Sequence, residues 1–316
     1  MEKSNIKRIW IFLGFAFGIS WATGLVIYLT GGLQNSPMLS IEGTSFSLAY
    51  LLLATAYMFG PAIANLLTRW ITKEGKANLM LEPHFDRKRW VYWLCAWFLP
   101  GLLTIAGLAF FFTVFPQFYD SQLGLITSQL EALDNPTTLN PWMVVVLQAG
   151  QALLLSPLLN AVSTFGEEFG WRGYLLSKLL PLGERKAVLL SGVIWGVWHW
   201  PVILMGYNYG LDYFGAPFLG PLAMVWFTLV LGILFGWVTI KTDNVWPAVI
   251  AHGALNGIAS LGILFVTGNP SSLLGPAPTG IIGGMGFTLV ALILFILPGA
   301  LTPKRPTGNL SPGQDR

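Results

Sequence analysis

Apolar residues run along this chain in blocks of about twenty, separated by polar stretches, which is the length an α-helix needs to cross a bilayer. Eight blocks stand out, at roughly 9–30, 46–68, 90–115, 152–180, 187–205, 218–240, 245–267 and 280–301. The pattern predicts an all-α fold, a polytopic transmembrane helical bundle of about eight spans. One transmembrane domain is expected over residues 1–303, followed by a disordered cytoplasmic tail over 304–316, where Pro, Gly and Ser accumulate. The first block exceeds a signal-peptide core and no cleavage site follows it, so it reads as a retained span. The polar segment 69–89 reads as a cytoplasmic connection with some amphipathic helix. In 116–151, Asn140 followed by Pro141 has the form of a helix N-cap with proline at the first helical position, and 142–151 reads either as an extension of the fourth span or as an interfacial helix.

Composition agrees with the pattern. Of 316 residues, 54% are hydrophobic and 10% charged, against about 25% charged in a soluble domain. The single cysteine, Cys95, excludes an intramolecular disulfide and a cysteine-rich metal site. The net charge of +3 comes without a basic run long enough to track phosphates, which excludes nucleic acid as a partner. The basic residues instead alternate by connection. They precede the first span (Lys3, Lys7, Arg8), fill 69–89 (Arg69, Lys73, Lys76, Arg87, Lys88, Arg89), and follow spans four (Lys178, Arg185, Lys186), six (Lys241) and eight (Lys304, Arg305, Arg316). The other connections hold only the acids Glu42, Asp120, Glu131, Asp134 and Asp212. Lys and Arg stay on the cytoplasmic side, so both termini are expected to be cytoplasmic in an integral protein of the plasma membrane.

The fourth block breaks the apolar rule with Glu167, Glu168 and Arg172 in FGEEFGWRGYLL. Ionisable groups at membrane depth cost about 2.5–3.5 kcal/mol each even on the lenient insertion scale, and so mark function. Pro181 and Gly183 turn the chain, and Glu167 and His199 stand equally far from Gly183 on either side. An antiparallel hairpin therefore puts a carboxylate and an imidazole at one depth. His252 lies in a later block, with Asn256 one helical turn on and on the same face. His84 falls in the polar connection and reads as a solvated loop residue. Glu168 and Arg172, four apart with the acid first, suit a supporting ion pair. Glu167, His199, His252 and Asn256 remain as the reactive set: Glu beside His can move a proton from water to a leaving amine, and an imidazole with a side-chain amide can hold an oxyanion. An ion- or proton-coupled transporter would also bury such groups, but no paired repeats support it.

These residues resemble the motifs of the CAAX prenyl protease and bacteriocin-processing family. EEFGWRGYL is similar to its E-E-x-x-x-R motif at Glu167, Glu168 and Arg172. WGVWHWP is similar to F-x-x-x-H at His199, and HGALN to H-x-x-x-N at His252 and Asn256. Trp195 stands where the family usually has phenylalanine, an exchange expected to alter pocket shape more than chemistry. The resemblance implies an intramembrane endopeptidase with its protease core at about 152–267, acting on a peptide or membrane-protein substrate within the lipid bilayer near the cytoplasmic leaflet. Glu167 and His199 would activate water, and His252 and Asn256 would stabilise the oxyanion. It also implies two alternatives. One is a zinc cofactor on Glu167, His199 and His252, although no HExxH is present and no cofactor is required by the four groups themselves. The other is a catalytically idle immunity or partner-binding protein of the same fold.

Overall fold

The computed structural model describes residues 2–41, 43–83, 89–132 and 139–303. The readings of Glu42, His84, Arg87, Lys88, Asp134 and the 304–316 tail lie outside the described residues. The chain is a helical bundle. α1 is Lys3–Leu29 and α2 Leu48–Ile71, joined across a small hairpin of β1 (Met38–Ile41) and β2 (Thr44–Ser47). α3 is Trp90–Val114, α4 Gly124–Glu131, α5 Pro141–Leu154 and α6 Ser156–Leu159. α7, Ala161–Gly170, continues through a π-helical turn at Trp171–Leu176. α8 is Glu184–Trp198, α9 Trp200–Leu204, α10 Leu219–Thr242, α11 Trp246–Ile258 and α12 Met285–Ile296.

Among the described residues, five helical stretches are long and apolar enough to cross a membrane: α1, α2, α3, α10 and Trp246–Phe265. The other three expected spans are assembled from shorter pieces. The fourth is interrupted after Leu154 and again at Asn160, the fifth at His199, and the last has a regular helix of 12 residues. The Asn140 side chain caps α5, accepting from the Trp142 amide at 2.9 Å, as its sequence predicts. α5 packs on α3 and α11 and runs into the start of the fourth expected span, with a break of one residue at Leu155 before α6.

The connection after α2 departs from expectation, because residues 72–83 form turns and no helix. Gly75, Lys73, Asn78 and Met80 all have positive φ. Arg69 explains the conformation, since its guanidinium donates to the carbonyls of Gly75, Ala77 and Asn78 and so takes up acceptors a helix would have used.

Polar backbone freed inside the bundle is satisfied from neighbouring helices. Pro61 has no N–H for the Tyr57 carbonyl one turn back, and Ser20 Oγ of α1 donates to that oxygen at 2.8 Å. The break between α8 and α9 exposes the Trp198 carbonyl, which accepts from Tyr57 OH at 2.6 Å and Trp21 Nε1 at 3.1 Å. These bonds tie α1, α2 and α8 together beside His199. Two glycines set the approach of the site helices. A Cβ on Gly170 would sit 2.4 Å from Pro61, and one on Gly196 would sit 2.6 Å from the Val225 Cα. Small residues thus let α7 press on α2 and α8 on α10, as lipid-embedded helices require when packing rather than water drives association.

The two ends of the bundle differ in charge. Every described Lys and Arg except Arg172 lies at the end formed by the start of α1, the end of α2, the turn after α7 and the end of α10. There Glu74 meets Arg8 at 3.3 Å and pairs with Lys178. The opposite end is built from 30–47, 115–132, 205–218 and 259–284. Its segments are tied by a Tyr119–Val266 bridge, by Tyr209 OH donating to the Thr279 carbonyl and by Asn269 donating to Asp212.

Candidate functional site

Glu167, His199, His252 and Asn256 come from three helical segments and line one cavity of about 90 Å³. A cavity needs only about 10–15 Å³ of such space to hold a water, so several fit beside the carboxylate. The remaining walls are mostly apolar or aromatic, among them Leu53, Tyr57, Met224, Phe227 and Leu255. Glu167 and His252 are buried, whereas Asn256 lines the cavity and is exposed at the surface of the bundle.

Three of the four reactive side chains, Glu167, His199 and His252, are held on one side and free on the other. Glu167 Oε2 accepts from Trp195 Nε1 at 2.7 Å, and among the described residues no hydrogen bond is made to Oε1. His199 Nδ1 lies 2.9 Å from the Trp195 carbonyl. A carbonyl only accepts, so Nδ1 carries the proton and, in the neutral ring, Nε2 is left with a lone pair. His252 Nδ1 lies 2.9 Å from Glu168 Oε1, which fixes that ring in the same way.

Glu168 and Arg172 form the ion pair expected from their spacing, at 3.0 Å, with side chains 0% and 1% exposed. The pair does more than neutralise charge, because the same Glu168 oxygen takes both Arg172 and His252. The Arg172 guanidinium also lies 4.2 Å above the Trp195 ring and 5.2 Å from the Phe235 ring, which offsets part of its desolvation.

Trp195 is where the sequence reading needs correction. It does not merely reshape the pocket. Its indole N–H holds Glu167, its carbonyl holds His199, its face carries Arg172, and its ring meets His252 edge-on at 5.5 Å and 74°. A phenylalanine offers no N–H, so the exchange changes chemistry at the carboxylate. The signal was legible in principle, since a tryptophan at membrane depth and level with a glutamate needs an acceptor. Tyr57, Tyr207 and Asn208 also line the cavity; they lie outside the three motifs, and no spacing rule points to them.

For the zinc alternative on Glu167, His199 and His252, among the described residues no three His, Cys, Asp or Glu side chains are grouped to hold a metal ion, while the hydrogen bonds at Glu167 Oε2 and at both Nδ1 atoms leave Oε1 and each Nε2 free, as in histidines that ligate a metal.

Two comparisons bear on the site. A family model described as type II CAAX prenyl endopeptidase Rce1-like matches residues 149–258. A relative named CAAX prenyl protease 2, from Methanococcus maripaludis, is 33% identical over 101 residues. The match covers 31% of this chain and 37% of the relative, so it spans little more than a third of that protein. All six motif residues fall within 149–258, the segment that the family model matches.

Proposed function

We propose that the chain is an intramembrane endopeptidase of the CAAX protease family using glutamate-activated water, a reading supported by the match of residues 149–258 to the type II CAAX prenyl endopeptidase model and by the 33% identical relative. The observation that carries the reading is the pairing of a free Glu167 Oε1 with two histidines whose Nδ1 atoms are anchored, all facing one cavity.

In this reading a water sits between Glu167 Oε1 and His199 Nε2. Glu167 takes one proton as the water oxygen attacks the substrate carbonyl carbon, and the His199 lone pair orients the other hydrogen. The carbonyl oxygen becomes an oxyanion, which accepts from the Asn256 amide and His252 Nε2. Donation from Nε2 requires the imidazolium form of His252, and the Glu168 carboxylate at Nδ1 is its counter-charge. Glu167 then delivers its proton to the amide nitrogen, the C–N bond breaks, and a carboxylic acid and an amine leave. Burial strengthens each electrostatic step relative to water. No step passes through a metal.

The test is peptide hydrolysis by the detergent-purified protein, with and without chelator, beside the Glu167→Gln variant. The expected result is chelator-resistant cleavage that the variant lacks. Cleavage lost on chelation and restored by zinc would overturn the metal-free reading, and unchanged turnover in Glu167→Gln would overturn the general-base role.

A further inference from the structure

Beyond the reacting groups, part of the cavity wall is built by the connection that follows α9. α9 has only five residues, with His199 as its N-cap, and it ends in a Schellman turn. The Gly206 amide donates to the Ile203 carbonyl at 2.9 Å and the Tyr207 amide to the Val202 carbonyl at 3.0 Å, an arrangement that needs the positive φ of Gly206, 94°. The next turn is tighter still. The Tyr209 amide donates to the Tyr207 carbonyl at 2.8 Å across Asn208, whose φ is 65°, a left-handed conformation that asparagine tolerates better than most residues. Tyr209 then anchors the turn to a second connection, because its hydroxyl donates to the Thr279 carbonyl at 3.0 Å and its own carbonyl accepts from Ser272. The backbone thus fixes Tyr207 and Thr279 relative to each other and to His199, and both line the cavity.

Their hydroxyls are unspent. Tyr207 is half-buried and Thr279 buried, yet among the described residues neither hydroxyl has a hydrogen-bond partner. Other polar side chains of the wall are committed: Tyr57 to the Trp198 carbonyl, Thr228 to the Met224 carbonyl and Trp195 to Glu167. Trp198 Nε1 has no partner either, but it is enclosed. Polar groups so placed are normally satisfied, and two of them on one wall point to a ligand that completes them. Its chemistry follows from theirs. Burial first, then the Glu167 charge and Tyr50, push the Tyr207 phenol up to about 12, so at neutral pH it keeps its proton and donates. The same Glu167 charge repels a carboxylate at that place, which leaves a neutral acceptor. A peptide entering a mostly apolar cavity brings one per residue, its main-chain carbonyl, and each loses free energy unless it finds a donor.

We propose that Tyr207 and Thr279 form a substrate subsite whose hydroxyls donate to main-chain carbonyls of the bound peptide on one side of the scissile bond. The inference rests on the reading of Glu167, His199, His252 and Asn256 as the reactive set, and it gives that set a means of fixing the register of the peptide. These bonds are the same in the bound substrate and in the transition state, so they lower KM and leave kcat alone.

The probe is a neutral, internally quenched peptide selected from a pool by capture on the Glu167→Gln protein in detergent, made in carboxamide and free-acid forms. Tyr207→Phe removes one oxygen and keeps the ring, and Thr279→Val removes the hydroxyl and keeps the shape. KM should rise about 2- to 10-fold in each, the worth of one neutral hydrogen bond, with kcat and Tm little changed and both peptide forms affected alike. Unchanged KM in both variants overturns the proposal by leaving the hydroxyls to water, and lower kcat at constant KM overturns it by moving the contact to the transition state. A loss of Tm that accounts for the lost activity assigns the residues to packing, and an effect confined to the free acid assigns them to a carboxylate; either result overturns it. Binding keeps the subsite distinct from the enzyme reading. In the Glu167→Gln background, adding Tyr207→Phe should weaken the affinity for the carboxamide peptide by the same factor, whether or not the unsubstituted protein cleaves it. Equal affinity, or capture of no peptide, sinks the subsite. Weakened affinity without Glu167-dependent cleavage in detergent sinks the enzyme reading alone.

Discussion

Two polar clusters can be compared, a half-buried one at the basic end around Glu74 and a buried one around Glu167. At Glu74, Oε1 accepts from Thr72 at 2.9 Å, Tyr174 at 2.6 Å and Arg8 at 3.3 Å, and Oε2 pairs with Lys178. Arg69, next to it, spends its donors on Asn65 and three carbonyls. Both oxygens of the acid are taken, and the cluster locks α1, the turn after α2 and the π turn after α7 together. At Glu167 one oxygen is held and the other faces space, and both histidines repeat the arrangement. A satisfied network contributes rigidity, whereas one with free valences facing a cavity that admits water stores reactivity. Acid count alone would not separate the two clusters.

The sharpest way to break this comparison is Glu167→Gln, which keeps the Trp195 bond and packing but removes the base. Turnover should fall by about 10²–10⁴-fold with melting temperature unchanged, measured on one preparation. Asn256→Ala should slow the chemical step by about 10²–10³-fold with little change in KM, because an oxyanion donor acts mainly in the transition state. The exposure of Asn256 means a large drop in Tm is not expected, and such a drop would assign it to helix packing instead.

Arg172→Ala crosses the boundary between the clusters, since it leaves Glu168 buried and unpaired. Breaking a buried pair costs about 3–5 kcal/mol, so a clear loss of Tm should accompany lower activity. Trp195→Phe tests the held oxygen of Glu167. A hydrogen bond to a charged group contributes about 1.5–3 kcal/mol, so kcat should fall by roughly 10- to 100-fold with KM little changed, and Tm should fall as well because the smaller ring leaves space beside Arg172. Unchanged kcat would reduce Trp195 to a wall.

The smallest effect belongs to the basic end. Burial alone would raise the Glu74 carboxyl, but hydrogen bonds from Lys178, Tyr174 and Thr72 and the Lys178 charge hold it below its ordinary value of 4.5. Its folded value is depressed, so its contribution is full above pH 4.5 and is lost as pH falls through the lower folded value. Glu74→Gln should lower Tm at pH 7 by the equivalent of about 1–3 kcal/mol, and the difference from wild type should shrink below pH 4. Catalysis in the remaining folded protein should be unchanged.

How much of this was legible differs by element. The apolar blocks announced helices because a bilayer leaves backbone groups no partner outside a helix or closed barrel. The Glu168–Arg172 pair and the His252–Asn256 face followed from four-residue spacing, which is local geometry. The cap at Asn140 followed from two adjacent residues. The turns after Ile71 were missed because Arg69 reaches forward to capture carbonyls up to nine residues on, and no propensity records such a bond. The interruption at His199 was missed because the carbonyl freed there, that of Trp198, is satisfied by Tyr57 and Trp21 of other helices.

By itself the sequence determined the helical class, the basic and non-basic ends, and the six polar residues that a bilayer would otherwise exclude, because each depends on composition or on spacing within one helix. Only the tertiary structure decided which atoms of those residues are bound and which are free. The bonds Trp195–Glu167 and Glu168–His252 join residues 28 and 84 positions apart, and their existence depends on how closely α7, α8 and α11 approach. That distance is set by glycines and prolines packing between helices, a property of pairs of surfaces that no single stretch of chain contains.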